Sequence, residues 1–147
     1  MMKNQTELSV KENPRFTSPL FNQRILVIDD SEDTLALLQH RLKKFGAQVT
    51  SCLDPKEALK TAQEKDFDVI ISDIGMPDLN GYDLMKIYRA WEKRHDKNKT
   101  PAIALTAYTT EEDARKALEA GFQVHMTKPM NIKVLEKEIE TLIGEGK

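Results

Sequence analysis

The run Ile25-Leu-Val-Ile28 stops abruptly on two acids, Asp29 and Asp30, and the same construction recurs down the chain. Val69-Ile70-Ile71 leads into Asp73, Pro101-Ala-Ile-Ala-Leu ends on Thr106, and segment 122–127 is closed by Lys128-Pro129. These runs are short, and where they are β-branched and closed by residues such as Gly75 and Pro77 they have the pattern of a strand covered on both faces. Pro129 cannot continue a ladder, so the last strand must finish there. Several two-face strands in one short chain call for a parallel sheet with helices above and below.

Between the runs the apolar spacing becomes helical. Ser31 to Asp33 offer an N-cap, and Leu35, Leu37, Leu38, Leu42 and Phe45 recur until Gly46, a natural C′ residue. A second strand is expected over 47–52. Asp54-Pro55-Lys56-Glu57 then supplies an N-cap, a proline at the first helical position and an acid in the first turn, with Ala58, Leu59 and Ala62 inward. After Gly81, a third helix is marked by Tyr82, Leu84, Met85, Tyr88 and Trp91, and the charged run 92–99 reads as a solvated loop. A fourth helix covers 110–120, with Ala114, Ala117 and Leu118 inward and Gly121 as its stop. Asn131 caps a fifth, which carries Val134, Leu135, Ile139, Leu142 and Ile143 on one face. Five strands alternating with five helices imply an α/β fold with right-handed crossovers. Periodicity does not give the strand order.

A chain of 147 residues suits one domain with a real core. Residues 1–22 are polar, contain Pro14 and Pro19 and lack periodicity, so they read as a flexible N-terminal tail, with Phe16, Leu20 and Phe21 available to pack on the domain edge. The domain is expected over 23–147. With 22 basic and 24 acidic residues, nothing suggests broad attraction to nucleic acid or anionic lipid, so the expected partners are a protein or a small ligand. The single cysteine, Cys52, excludes an internal disulfide and a thiolate metal site within one chain. With no apolar stretch near the roughly 20 residues needed to span a bilayer, and no signal-peptide core, a cytoplasmic protein without membrane insertion is expected.

In a parallel sheet the polar ends of strands one, three, four and five fall on one edge, outside which ligands of open α/β sheets bind. That edge collects Asp29, Asp30, Asp73, Thr106 and Lys128. Three carboxylates together repel one another and raise one another's pKa unless a cation neutralises them. An all-oxygen set suits Mg²⁺ or Mn²⁺ better than Zn²⁺. Such an ion would let an anionic phosphoryl group approach Asp73 as nucleophile, with the Lys128 ammonium and the Thr106 hydroxyl donating to its oxygens.

Over roughly 24–143 the chain resembles the receiver domain of two-component response regulators, through VIDD, SDIGMP followed by GYDL, LTA, and KP in that order. The resemblance implies a flavodoxin-like doubly wound (βα)5 fold with strand order 2-1-3-4-5, an arrangement for which a receiver domain is itself a standard example. It implies Asp73 as phosphoacceptor, Mg²⁺ ligated by the Asp30 and Asp73 side chains and the Gly75 backbone carbonyl, and Asp29 acting mainly through a bound water. Thr106 would be the switch hydroxyl, Lys128 the phosphate-binding lysine, and the Lys128-Pro129 bond cis.

His125 stands where the family often carries a tyrosine or phenylalanine that swings with the switch threonine, either as an aromatic substitute or as a pH-sensitive element. Gly75 offers no side chain to an attacking water, and Tyr108 would shield the phosphoryl group; together they would tune its lifetime. Phosphate would come from a histidine kinase or a histidine phosphotransfer protein. Output would go through the face of helix four, strand five and helix five, with Glu111, Glu112, Arg115, Lys116, Glu119, Gln123 and Lys133, to an unnamed downstream protein. A monomer or a weak phosphorylation-dependent dimer is expected.

An output domain beyond the fifth helix is not expected, and GFQVHMTKPM looks most like receivers of hybrid histidine kinases. The expected activity is assistance of the domain's own phosphorylation and dephosphorylation, without turnover of a separate substrate. Rival readings are a metal-dependent phosphohydrolase with an aspartyl-phosphate intermediate, a pseudo-receiver that only binds a partner, and an FMN-binding flavodoxin-like protein. Short loops count against the first, the complete residue set against the second, and three acids beside a phosphate against the third.

Overall fold

The computed structural model describes residues 18–107 and 110–145. Its elements are β1 (Arg24–Ile28), α1 (Glu32–Lys44), β2 (Gln48–Cys52), α2 (Pro55–Glu64), β3 (Val69–Asp73), α3 (Gly81–Arg94), β4 (Ala102–Thr106), α4 (Glu111–Ala120), β5 (Val124–Thr127) and α5 (Ile132–Glu145). All four strand pairings are parallel, in the order β2-β1-β3-β4-β5. This is the flavodoxin-like fold expected from the resemblance.

Strand alternation sends each strand's residues into two separate cores. Ile25, Val27, Val69, Ile71, Ile103, Leu105 and Met126 meet Leu35, Leu38 and Leu42 of α1 and Leu135, Ile139 and Leu142 of α5. Leu26, Ile28, Ile70, Ala102 and Ala104 meet Ala58 and Ala62 of α2, Leu84, Met85 and Tyr88 of α3, and Ala117 and Ala120 of α4. A sheet covered on both sides needs apolar residues at consecutive positions, which is why β3 and β4 are buried throughout. Residues 18–22, the end of the segment read as a tail, contribute Leu20 to the first core, while Phe21 is partly exposed and Phe16 lies outside the described residues.

Three inward assignments are corrected. Leu37, Val134 and Leu118 are exposed, because the buried stripes pass through Leu35, Leu38 and Leu42, through Leu135, Ile139 and Leu142, and through Ala117 and Ala120. A residue adjacent to a stripe position is turned by about 100° from it and can leave the core entirely. The charged run 92–99 is corrected too: α3 continues to Arg94, and Glu92 is only 3 % exposed. Its helical turn points inward, toward Arg89 and the Thr100 N–H.

The helix ends follow local chemistry. Ser31, Asp54, Asn80 and Thr110 accept from backbone N–H groups as N-caps, and Thr110 forms a reciprocal capping box with Asp113. Gly121 closes α4 with φ 117°, a conformation that suits glycine; its N–H donates to the Ala117 and Leu118 carbonyls and that of Phe122 to the Ala117 carbonyl.

Candidate functional site

The sheet register brings the strand ends together. Ile28 aligns with Ser72, so Asp29 and Asp73, each one residue further, sit side by side. Asp73 aligns with Leu105, just before Thr106, and Thr106 aligns with Thr127, just before Lys128. The Lys128 N–H then donates to the Thr106 carbonyl at 2.8 Å, fixing the β5 exit against the end of β4. The Lys128-Pro129 bond is cis.

Asp29 is wholly buried and Asp73 nearly so, whereas Asp30 is exposed. Oxygens of the three carboxylates all lie within 4.8 Å of one another. Asp29 Oδ1 accepts from the Ser31 N–H at 2.9 Å, and Asp73 Oδ1 accepts from the Ile74 N–H at 2.9 Å. The Lys128 ammonium reaches both acids, 2.8 Å from Asp29 Oδ2 and 3.2 Å from Asp73 Oδ1. Asp29 Oδ2 is enclosed and meets Lys128 as an ion pair, without an aligned hydrogen bond.

One ammonium among three carboxylates leaves negative charge in excess. Burial pushes the Asp73 carboxyl above its ordinary pKa, the charge of Asp29 adds to the rise, and Lys128 only partly offsets it. Burial works to lower the Lys128 pKa, but pairing with Asp29 and then Asp73 overcomes it, and the ammonium is held above its usual value. An all-oxygen cluster with surplus charge and a poorly satisfied buried oxygen fits a small hard divalent cation.

The loop after β3 folds back on the same backbone. The Gly81 N–H donates to the Ile74 carbonyl at 2.8 Å, and a Cβ on Gly81 would overlap the Asp73 carbonyl oxygen. Gly81 thereby sets how closely α3 approaches the carboxylates, a role that sequence reading, which took it only as a boundary, did not identify. Gly75 is exposed, and a Cβ there would meet nothing within 4 Å.

Thr106 is buried at the end of β4. His125 is half-buried on β5, beside Ala104 in register and on the α4 side of the sheet, away from the carboxylates themselves. The Asp113 carboxyl in the first turn of α4 is held below its ordinary pKa chiefly by the Thr110 hydroxyl. Tyr108 lies outside the described residues. Of the predicted set, Asp29, Asp30, Asp73 and Lys128 meet directly, Thr106 and Gly75 flank them, and His125 stands behind Thr106.

Comparison with known proteins points the same way. The family described as the response regulator receiver domain matches residues 25–140. The chain is 41 % identical over 107 residues to an uncharacterised 14.6 kDa protein of Leptolyngbya boryana, covering 73 % of this chain and 79 % of that one. It is 30 % identical over 116 residues to the sensor protein GacS of Pseudomonas syringae, covering 79 % of this chain but only 13 % of that protein.

Among solved structures, the receiver domain of Francisella response regulator 1452 superposes with a TM-score of 0.79 at 31 % identity, over 86 % of this chain and 100 % of that one. The receiver of Saccharomyces cerevisiae Ssk1, solved with the histidine phosphotransfer protein Ypd1, gives 0.78 at 28 % identity, over 82 % and 88 %. The receiver of the Pseudomonas aeruginosa sensor histidine kinase PA1611, with magnesium coordinated in its active-site cleft, gives 0.75 at 29 % identity, over 84 % and 98 %.

Proposed function

The chain belongs to the response regulator receiver domain family, a family of signalling domains, and on that premise we propose that Asp73 is its phosphoacceptor. The observation that carries this reading is the Lys128 ammonium reaching both Asp29 and Asp73, at the edge where the three carboxylates converge. The donor is a phosphohistidine of a histidine kinase or phosphotransfer protein, as the co-crystallised Ypd1 and Ssk1 receiver exemplify. In the transfer, an Asp73 carboxylate oxygen forms a bond to phosphorus as the phosphorus–nitrogen bond of the donor breaks. The electron pair stays on the donor imidazole, and Asp73 becomes an acyl phosphate.

The Asp30 and Asp73 carboxylates and the Gly75 carbonyl would hold Mg²⁺ or Mn²⁺, with Asp29 acting through a bound water. Such an ion supplies positive charge that offsets repulsion between the carboxylates and the incoming phosphoryl group. Lys128, 3.2 Å from Asp73 Oδ1, donates to a phosphoryl oxygen, and Thr106 donates its hydroxyl to another. Gly75 leaves the approach to the phosphoryl group open, and a shielding role for Tyr108, which lies outside the described residues, remains the expectation from sequence. Movement of Thr106 makes room for His125, whose inward turn alters the face of α4, β5 and α5.

That face meets a downstream protein, with the domain acting as a monomer or a weak phosphorylation-dependent dimer. Residues 23–147 form most of the receiver domain, and the segment before them joins it through Leu20, which is buried in the first core. Near balance of acidic and basic residues supports a protein partner over nucleic acid. A cytoplasmic place of action completes the proposal; no described helix is long and apolar enough to cross a membrane.

The test is phosphotransfer from a purified phosphorylated histidine phosphotransfer domain. Transfer of label to this chain, lost in Asp73→Asn, supports the reading. Transfer that persists in Asp73→Asn contradicts it.

A further inference from the structure

Glu92 and Arg89 form a buried ion pair that phosphorylation chemistry does not use. Their side chains are 4 % and 13 % exposed and meet at 2.8 Å. Arg89 also donates through Nε and one terminal nitrogen to the Gly121 carbonyl, at 3.0 and 2.8 Å. Glu92 accepts the Thr100 N–H at 2.8 Å with its second oxygen, and the Tyr88 hydroxyl pairs with the Thr100 hydroxyl at 3.0 Å. Across the same corner, the Gln123 side chain accepts the Ala102 N–H at 2.8 Å, and the Gln123 N–H donates to the Ala102 carbonyl at 3.0 Å. One turn of α3 therefore grips the start of β4 and the α4–β5 corner together.

The grip is matched by where α4 is packed. Its buried residues, Ala117 and Ala120, lie toward the corner, while Glu111 and Glu112 of its first turn are exposed. The first turn is held by its own capping box and by a long Tyr82 hydroxyl contact to the Asp113 carbonyl, at 3.4 Å. Room for a side chain at Gly121 is also absent: a Cβ there would lie 2.7 Å from Arg89 Cγ. So, among the described residues, α4 is clamped at its carboxyl end by the paired Arg89 donors, and its first turn is tied to α3 by the long Tyr82 contact.

We infer that Arg89 and Glu92 make the α4–β5 corner a fixed pivot, about which the amino-terminal end of α4 is displaced when Asp73 is phosphorylated. This rests on the receiver reading above and adds to it which part of the output face moves and which does not. Arg89 is a positioning residue: it touches neither phosphate nor metal, and acts by preventing the helix from moving as a whole. A lever anchored at one end converts a small movement at Thr106 into a change at the α4 surface without disturbing β5 pairing.

Hydrogen exchange of the full chain, with and without beryllofluoride and Mg²⁺ as the phosphoryl mimic, tests this. In the native protein the amides of 111–114 should change exchange by about tenfold, while those of Gly121, Phe122 and Gln123 stay within about twofold. In Arg89→Lys, which keeps the charge but not the paired donors, and in Arg89→Ala, the corner amides should join the response while the protection of β1 and β3 is kept. Equal changes at both ends of α4 in the native protein would overturn the pivot. So would an unchanged pattern in Arg89→Lys when 111–114 still respond. A native protein that shows no change even around Asp73 would instead remove the receiver reading on which the pivot rests.

Discussion

The Lys128 ammonium stands 3.2 Å from Asp73 Oδ1 while holding the enclosed Asp29 Oδ2 at 2.8 Å. One cation thus serves two acids, and its two contacts have different consequences. The contact with Asp29 compensates a carboxylate whose Oδ2 is enclosed by the fold. The contact with Asp73 restrains a carboxyl whose pKa burial and Asp29 both raise.

Replacing the lysine separates these roles. Lys128→Met keeps the stem but leaves Asp29 enclosed without its cation, which should destabilise the fold by about 2 to 3 kcal/mol. It should also slow phosphorylation by at least about tenfold, the scale on which loss of a charged donor to a transferring group is felt. Urea unfolding and the initial rate of labelling measure the two effects. A variant as stable and as fast as the native protein would show that the ammonium is dispensable to both.

Asp73 gives the pH dependence a definite sign. Its folded pKa lies above the unfolded one, so the folded chain holds the proton more tightly. In metal-free protein its ionisation removes stability as pH rises from the unfolded value through the raised folded one, and the penalty is complete above that window. Asp73→Asn should therefore be the more stable protein at neutral pH, with the gap closing toward pH ~4, near the ordinary aspartate value. Mg²⁺ should reverse the order, because a ligand at 100 times its Kd adds about 2.7 kcal/mol to the form that binds it. Denaturation at two pH values, with and without Mg²⁺, checks this; an Asn variant less stable at neutral pH without metal would contradict it.

Two glycines on either side of Pro77 should respond oppositely. Gly81→Ala puts a methyl into the Asp73 carbonyl and within 2.9 Å of the Ile74 Cα, so the loop must shift. A loss of about 2 to 4 kcal/mol and a large fall in phosphorylation rate are expected. Gly75→Ala meets open space and should leave stability within about 0.5 kcal/mol. Thermal unfolding of the pair decides it, and equal stability would show that the close approach at Gly81 is not required.

Glu92 and its neighbour Lys93 make a second contrasting pair. Glu92→Ala leaves Arg89 and the Thr100 N–H without their acceptor and should cost about 2 to 3 kcal/mol. Lys93→Ala, on the exposed side of the same helix, should change stability by less than about 0.5 kcal/mol. Similar small effects in urea would return Glu92 to the solvated reading.

Much of this was legible in the sequence because it depends on order along the chain. Strand ends are marked where β-branched runs meet Asp29, Asp73, Thr106 and Lys128, and a parallel sheet must align them. The strand order came through the resemblance alone, since two cores on either side of the sheet produce the same alternation in any order. What could not be read depended on contacts between distant segments. Glu92 looked solvated because a charged run hides one residue's inward turn, and its partners at Thr100 and, through Arg89, at Gly121 carry no local signal. Leu118 and Leu37 looked inward because leucine beside a stripe resembles leucine on it. Gly81 read as a boundary because its close approach to Asp73 is a matter of packing.

Asp73 alone is expected to take the phosphoryl group. Intact-mass measurement after incubation with phosphoramidate and Mg²⁺ tests this directly. The native chain should gain a single phosphoryl group, lost on mild alkaline treatment as an acyl phosphate requires, and Asp73→Asn should gain none. Equal labelling of the two proteins would contradict the assignment.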